Sequence, residues 1–119
     1  MDMMIVDDSM IIRNKIERAL TDFDINVVGI AKNGVEAVEL MASSDPEMVT
    51  MDLTMPIMDG TECIEELLKL SPDLIILVVS ALSDKATAIA ALQKGAHGFL
   101  CKPFTEAELT TAISKLIKG

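Results

Sequence analysis

The sequence predicts an α/β protein in which five parallel strands alternate with five helices. Short apolar runs of strand length alternate along the 119 residues with longer stretches whose apolar residues recur at helical spacing. The short runs show little alternation of polar with apolar residues, which is typical of parallel strands covered by helices on both faces. Right-handed crossovers then favour a (βα)5 doubly wound sheet, a three-layer sandwich, with strand order 2-1-3-4-5.

Five apolar runs are the strand candidates, and each is bounded by turn residues. They are Met3 to Val6, Val27 to Ala31, Met48 to Met51, Leu74 to Val79 and Gly98 to Leu100. The chain contains no repeat, linker or low-complexity tract between them. We therefore expect residues 1–119 to form a single domain.

The helices between these strands are indicated by apolar stripes and by capping residues. The first and last helices carry apolar residues at helical spacing, namely Ile12, Ile16, Ala19 and Leu20, and Leu109, Ala112, Ile113, Leu116 and Ile117. Capping pairs predict the starts of the second, third and fifth helices: Asn33 with Glu36, Asp59 with Glu62, and Thr105 with Glu108.

Composition excludes several classes of protein. Aromatic residues make up only 3 % of the chain, so the core must consist of aliphatic residues and the nine methionines. The net charge of −9 argues against a nucleic-acid surface, which requires clustered lysine and arginine. No apolar run is long enough to span a membrane, and we expect a soluble protein.

The amino terminus and the cysteines are consistent with a cytoplasmic protein. Met1 to Val6 carry no basic region and no cleavage site, so we do not expect this segment to be a signal peptide. Cys63 and Cys101 are far apart and show no CxxC spacing. We expect two reduced, packed thiols rather than a disulfide or a metal site.

Polar residues follow four of the predicted strands. Asp7 and Asp8 follow the first, Asp52 the third, Ser80 the fourth and Lys102 the fifth. In a doubly wound sheet the ligand site lies beyond the carboxyl ends of the strands, at the switch point between strands 1 and 3. These side chains should therefore converge.

The three carboxylates at this edge require a positive partner. Carboxylates about 4 Å apart repel by about 1 kcal/mol per pair in water and about 4 kcal/mol at an effective dielectric of 20. A hard divalent cation with oxygen ligands, Mg²⁺ in particular, suits such a site. Taken alone, an Asp-Asp pair such as Asp7-Asp8 more often forms a solvated turn or a helix cap, here by Asp8 and Ser9, and it is the coincidence with the other strand ends that favours a site.

Four segments together resemble the receiver domains of two-component response regulators. The resemblance covers the whole chain. The segments are Val6-Asp7-Asp8-Ser9, Met51 to Gly60 (MDLTMPIMDG), Val79-Ser80-Ala81, and Lys94 to Phe104 (KGAHGFLCKPF). The resemblance implies a flavodoxin-like fold and a phosphoryl-accepting signalling protein rather than an enzyme that acts on a substrate.

The resemblance also implies roles for the acidic residues. Asp52 would accept a phosphoryl group from a histidine kinase or histidine phosphotransfer protein. Asp8 and Asp52 would contact Mg²⁺ or Mn²⁺ directly, Asp7 would act mainly through water, and the backbone carbonyl of Thr54 would complete the protein ligands. Lys102 would pair with the acceptor carboxylate and later with the phosphoryl oxygens.

Other positions match residues that read and tune the phosphorylated state in this family. The Ser80 hydroxyl would follow the phosphoryl oxygen, and Phe99 would turn inward as the switch aromatic. The peptide before Pro103 would be cis. Thr54 and Leu82 would flank the path of the hydrolytic water, and because Leu82 is apolar we expect slow self-dephosphorylation.

Two surfaces are expected to bind partners. Met10 and Ile11 lie off the core stripe beside the acidic pair and form a candidate kinase-docking patch. The fourth helix has no charged residue from Ala86 to Gln93. By the resemblance, this helix, strand 5 and helix 5 would form the output surface for a downstream protein.

Alternative functions fit the sequence less well. A Mg²⁺-dependent aspartyl-phosphate phosphatase typically has a DxD motif after strand 1, and a flavodoxin-like electron carrier needs a Gly-rich phosphate loop there. The chain ends at Lys118-Gly119 after helix 5, which lacks the Arg-rich ending of receivers joined to DNA-binding domains. We expect a free-standing, monomeric regulator of chemotaxis or a phosphorelay; the alternative is the receiver half of a longer DNA-binding regulator.

Overall fold

A computed structural model describes residues 1–53, 60–81 and 85–118. Strands and helices alternate throughout these ranges. The elements are β1 (Asp2–Val6), α1 (Met10–Ala19), a 3₁₀ turn (Leu20–Asp22), β2 (Asn26–Ala31), α2 (Gly34–Ser44), β3 (Met48–Asp52), α3 (Gly60–Leu70), β4 (Ile75–Ala81), α4 (Lys85–Gln93), β5 (Gly98–Lys102) and α5 (Glu106–Lys118).

The strands form one sheet in the order β2-β1-β3-β4-β5, with every neighbouring pair parallel. The predicted fold class and strand order are therefore confirmed. β1 and β3 are neighbours at the centre, and Val6 is paired with Met51. The residues that follow this pair, Asp7 and Asp52, consequently lie side by side at the carboxyl edge of the sheet.

Three strands extend one or two residues beyond the predicted ends. β3 includes Asp52, β4 includes Ser80 and Ala81, and β5 includes Lys102. Asp52 pairs with Val79, and Ala81 pairs with Lys102. Backbone hydrogen bonds make the sheet, so polar side chains at these positions do not end a strand.

The capping predictions hold where the structure describes the residues. Asn33 Oδ1 accepts a hydrogen bond from the Glu36 N–H at 2.9 Å. Thr105 and Glu108 form a reciprocal capping box, with both hydrogen bonds at 3.1 Å. Asp59, the predicted cap of α3, lies outside the described residues.

Two apolar layers cover the sheet. On one face, α1 and α5 pack through residues such as Ile16 and Ile113 against β1, β3 and β4. On the other face, α2, α3 and α4 pack against β1, β3 and β4 through residues such as Met41 and Ile64. Methionine and aliphatic side chains dominate both layers, as predicted. Within the described ranges, no helix is both long and apolar enough to cross a bilayer.

Both cysteines are free thiols, as predicted. Cys63 is fully buried on α3, and its thiol points to the backbone carbonyl of Gly34 at 3.7 Å. Burial, together with the nearby Glu62 and Glu66, raises the pKa of Cys63 to about 12. The thiol therefore stays protonated and behaves as a small apolar side chain.

Gly95, which follows α4, provides a direct test of the fold. Its φ of 120° is strained for any residue with a side chain, and an added Cβ would lie 2.6 Å from Leu68 Cδ1. We expect Gly95→Ala to lower the free energy of unfolding by about 1–3 kcal/mol in urea melts. Gly98→Ala is the matched control, because its Cβ would meet Leu116 at an ordinary 3.6 Å. An equal decrease in the free energy of unfolding in Gly95→Ala and Gly98→Ala would contradict this explanation.

Candidate functional site

Three carboxylates meet at the carboxyl edge of the central strands. Asp7, Asp8 and Asp52 each present an oxygen, and these atoms lie within 4.8 Å of one another. Asp7 and Asp52 are 1 % exposed, whereas Asp8 is exposed to solvent. The predicted convergence of the acidic residues is thus observed, with two carboxylates inside the protein and one at its surface.

Lys102 places one positive charge between the two buried carboxylates. Its Nζ lies 3.5 Å from Asp7 Oδ2 and 3.5 Å from Asp52 Oδ2. Lys102 reaches them from the end of β5, across the end of β4, and its side chain is 24 % exposed. The Lys102–Pro103 peptide is cis, as the family resemblance implies. Among the described residues, this ammonium lies beside two of the three carboxylates, so these four side chains keep an excess of negative charge.

The environment of Asp7 favours its neutral form. Burial raises the pKa of Asp7 above its usual value, and the charge of Asp52 adds to the increase. The Ser9 N–H, which donates to Asp7 Oδ1 at 2.8 Å, and the Lys102 ammonium oppose this shift. In the absence of a further cation, an ionised Asp7 therefore destabilises the folded protein.

Two buried oxygens at the site are incompletely satisfied among the described residues. Ser80 Oγ has no hydrogen-bond partner there, and Asp7 Oδ2 has only the long contact with Lys102. Ser80 is fully buried next to the end of β3, and it pairs with Cys101 of β5. Unsatisfied buried polar atoms are unfavourable and uncommon, and they often mark the place of a ligand.

The donor set fits a hard divalent cation. It consists of carboxylate oxygens from three aspartates, of which Asp7 and Asp52 are buried, and among the described residues Asp7 Oδ2 has only the Lys102 ammonium beside it, at 3.5 Å. Mg²⁺ prefers such ligands and retains water at its other positions, which suits a cluster open to solvent at Asp8. Thr54, expected to contribute a carbonyl, lies outside the described residues, as does Leu82.

The remaining predicted residues lie around this cluster. Met10 and Ile11 begin α1 beside Asp8, and they are 65 % and 78 % exposed. Phe99 is 43 % exposed on β5 and lines a groove of about 540 Å³ between β5 and α5. The aromatic ring therefore stands at the surface in this structure.

Ser9 has two functions, of which sequence reasoning found only one. Its hydroxyl accepts a hydrogen bond from the Ile12 N–H at 3.4 Å and caps α1, as anticipated. Its own N–H binds Asp7, which was not predicted. An aspartate two residues before a serine cap is the signal that could have revealed it, because aspartate commonly accepts from the N–H two residues later.

Comparison with known proteins decides the family. Residues 3–114 match the response regulator receiver domain model. The chain belongs to the response-regulator receiver family. It is 39 % identical over 115 residues to the chemotaxis protein CheY of Thermotoga maritima, an alignment that covers 97 % of this chain and 96 % of the relative. It is 37 % identical to CheY of Bacillus subtilis over 96 % of this chain and 95 % of that protein.

A solved receiver has the same fold. The isolated receiver domain of RcsB from Salmonella enterica serovar Typhimurium, determined in the presence of phosphomimetic BeF3⁻, superimposes with a TM-score of 0.91. It is 27 % identical and the match covers all of this chain and 89 % of that one. The chain is thus a CheY-like receiver, a signalling domain of two-component systems with chemotaxis proteins among its relatives.

The raised pKa of Asp7 leads to a prediction about stability. The folded protein binds the Asp7 proton more tightly than the unfolded chain does, because the pKa of Asp7 is raised on folding. This stabilisation is complete below the ordinary carboxyl pKa near 3.8 and is lost as the pH rises through the raised pKa. Without divalent cations, we expect the unfolding free energy of Asp7→Asn, minus that of the unmodified protein, to grow as the pH rises above about 4. Urea melts in chelator measure this difference.

The exposed Asp73 supplies the control for loss of one negative charge. Asp73→Asn should show no comparable growth with pH. A difference for Asp7→Asn that stays flat or falls as the pH rises would show that burial does not disfavour the Asp7 carboxylate.

Proposed function

We propose that this receiver accepts a phosphoryl group on Asp52 from the phosphohistidine of a histidine kinase or a histidine phosphotransfer protein. In the transfer, an Asp52 carboxylate oxygen bonds to phosphorus, the P–N bond to the donor imidazole breaks, and that imidazole takes up a proton. The observation that carries the proposal is the Lys102 ammonium, 3.5 Å from the carboxylates of both Asp7 and Asp52. Residues 1–119 would act as one domain.

The buried neighbours of Asp52 fit the product of this reaction. A phosphoryl group on Asp52 brings new anionic oxygens to an edge where Lys102 and the Ser80 hydroxyl are already in place. Ser80 Oγ has no hydrogen-bond partner among the described residues, so it is available to donate to a phosphoryl oxygen. Lys102 can exchange a carboxylate for a phosphoryl oxygen without leaving the site.

Asp7, Asp8 and Asp52 would hold Mg²⁺ or Mn²⁺, with the Thr54 carbonyl as a further ligand. A bound divalent cation supplies charge neutralisation to the carboxylates and to the incoming phosphoryl oxygens. Asp8 is the exposed member of the group and would meet the ion first. Asp7, held by the Ser9 N–H, keeps its second oxygen directed to the site.

The output surface would be α4, β5 and α5. Ile89 on α4 and Phe99 on β5 are 54 % and 43 % exposed, which gives this side an apolar surface for a downstream protein. Phe99 and Ser80 lie on neighbouring strands, since β4 pairs with β5. Movement of Ser80 towards a phosphoryl group would allow Phe99 to turn inward and change this surface.

The kinase side would be the start of α1. Met10 and Ile11 form an exposed apolar pair next to the acidic cluster, where a phosphodonor must approach. Leu82 would lengthen the phosphorylated lifetime, because an apolar side chain cannot orient a hydrolytic water. We propose that the protein is a cytoplasmic monomer that works in chemotaxis or a phosphorelay, with no direct contact to nucleic acid.

The direct test is phosphorylation by acetyl phosphate, followed by intact-mass measurement. With Mg²⁺ we expect addition of one phosphoryl group, and with chelator almost none. Asp52→Asn should abolish the addition, whereas Asp73→Asn, at an exposed position away from the cluster, should leave it unchanged. Equal phosphorylation of Asp52→Asn and the unmodified protein would exclude the proposal.

Beryllofluoride tests the output surface separately. With Mg²⁺ it should move the amide resonances of Ile89 and Phe99 in NMR spectra, and it should lower the solvent exposure of the Phe99 ring. Buried Ala37 on α2, a position away from the proposed output surface, is the internal reference. If the Ile89 and Phe99 resonances stay in place while beryllofluoride binds, this surface does not change on phosphorylation.

A further inference from the structure

A short connection follows Lys102 and leads into α5. β5 ends at Lys102 and α5 begins at Glu106, so three residues join them. The middle one, Phe104, is 2 % exposed and packs in the layer formed by α1 and α5. The next, Thr105, is held by its capping box with Glu108. Phe104, by its burial, and Thr105, by its capping box, therefore hold the end of the connection that enters α5.

Lys15 anchors the same connection from α1. Its ammonium donates a hydrogen bond to the backbone carbonyl oxygen of Phe104. The same ammonium lies 4.9 Å from the centroid of the Phe104 ring, within the range of a cation–π contact. Lys15 thus binds both the backbone and the side chain of one residue, and that residue lies two positions after Lys102.

We propose that Lys15 is a positioning residue for Lys102. By fixing the carbonyl of Phe104 and its ring against α1, it fixes the backbone from which the Lys102 side chain reaches Asp7 and Asp52. Lys15 does not take part in the three-carboxylate cluster, so it acts through the connection. The inference rests on the proposed function, because Lys15 would serve to hold the Lys102 ammonium at the phosphoryl acceptor, Asp52.

The position of Lys102 depends on its backbone because its side chain is long. A flexible four-carbon chain holds its ammonium 3.5 Å from two carboxylates only if its origin is fixed. A displacement of about 1 Å in a group that contacts the reacting atoms can slow a reaction by about 10²-fold. Loss of one of several anchors should have a smaller effect, of about tenfold.

An ion pair between α1 and α5 serves as the comparison. Arg18 Nε lies 3.5 Å from Glu106 Oε1, but these side chains are 68 % and 54 % exposed. Exposed ion pairs contribute little to stability because solvent screens them. Arg18→Met removes one positive charge from α1, as Lys15→Met does, but it leaves the Phe104 contacts intact.

The test compares Lys15→Met, Lys15→Arg and Arg18→Met by two measurements. The first is the NMR signal of the Lys102 side chain, assigned by its loss in Lys102→Arg and recorded without any phosphodonor. The second is the rate of phosphorylation by acetyl phosphate with Mg²⁺. We expect Lys15→Met to move the Lys102 signal towards that of an exposed lysine and to slow phosphorylation by about tenfold.

Lys15→Arg keeps a charged donor, so it should largely retain the Lys102 signal and the phosphorylation rate of the unmodified protein. Arg18→Met should retain both fully. If Lys15→Met leaves the Lys102 signal unchanged, or shifts it no more than Arg18→Met does, the inference is wrong. If Lys15→Met does not fold, Lys15→Gln replaces it with the same expectations. An unmodified protein that takes up no phosphoryl group refutes the proposed function, while the Lys102 signal still decides the role of Lys15.

Discussion

The Lys102 ammonium between Asp7 and Asp52 is the interaction on which the site depends. Burying a carboxylate without a partner is unfavourable by several kcal/mol, and two neighbouring carboxylates also repel each other. The Lys102 ammonium, 3.5 Å from each of the two buried carboxylates, offsets part of this unfavourable energy. Because these residues end or follow β5, β1 and β3, one ion-pair group links three strands at the carboxyl edge of the sheet.

The charges of the carboxylates are only partly compensated by Lys102, and this uncompensated negative charge determines which ligands the site favours. Among the described residues, the Lys102 ammonium lies beside two of the three carboxylates, and Ser80 Oγ lacks a hydrogen-bond partner. Burial raises the pKa of Asp7. Such an arrangement favours binding of a hard cation and of anionic phosphoryl oxygens together, since each compensates the other. The Phe104 contacts of Lys15 extend the group to α1, which begins at the exposed Met10 and Ile11.

Sequence patterns predicted the parallel sheet, its strand order and the meeting of the acidic residues, because each depends on local periodicity or on a topological rule. β3, β4 and β5 were predicted one or two residues too short, since the strands were predicted from apolar runs and Asp52, Ser80 and Lys102 are polar. The Ser9 N–H bond to Asp7 and the Lys15 contacts with Phe104 are missed for other reasons. The Ser9 bond has a local signal, the Asp7–Ser9 spacing, that was not used. The Lys15 contacts depend on packing between distant segments, which neither spacing nor composition specifies.

We propose that, of the three carboxylates, Asp52 alone carries the phosphoryl group. Borohydride reduction of the protein phosphorylated with acetyl phosphate and Mg²⁺ converts a phosphorylated aspartate into homoserine, and peptide mass spectrometry locates it. We expect homoserine at position 52, and none at positions 7 and 8. Homoserine at position 7 or 8, or none in a protein that has gained the mass of a phosphoryl group, would contradict the account.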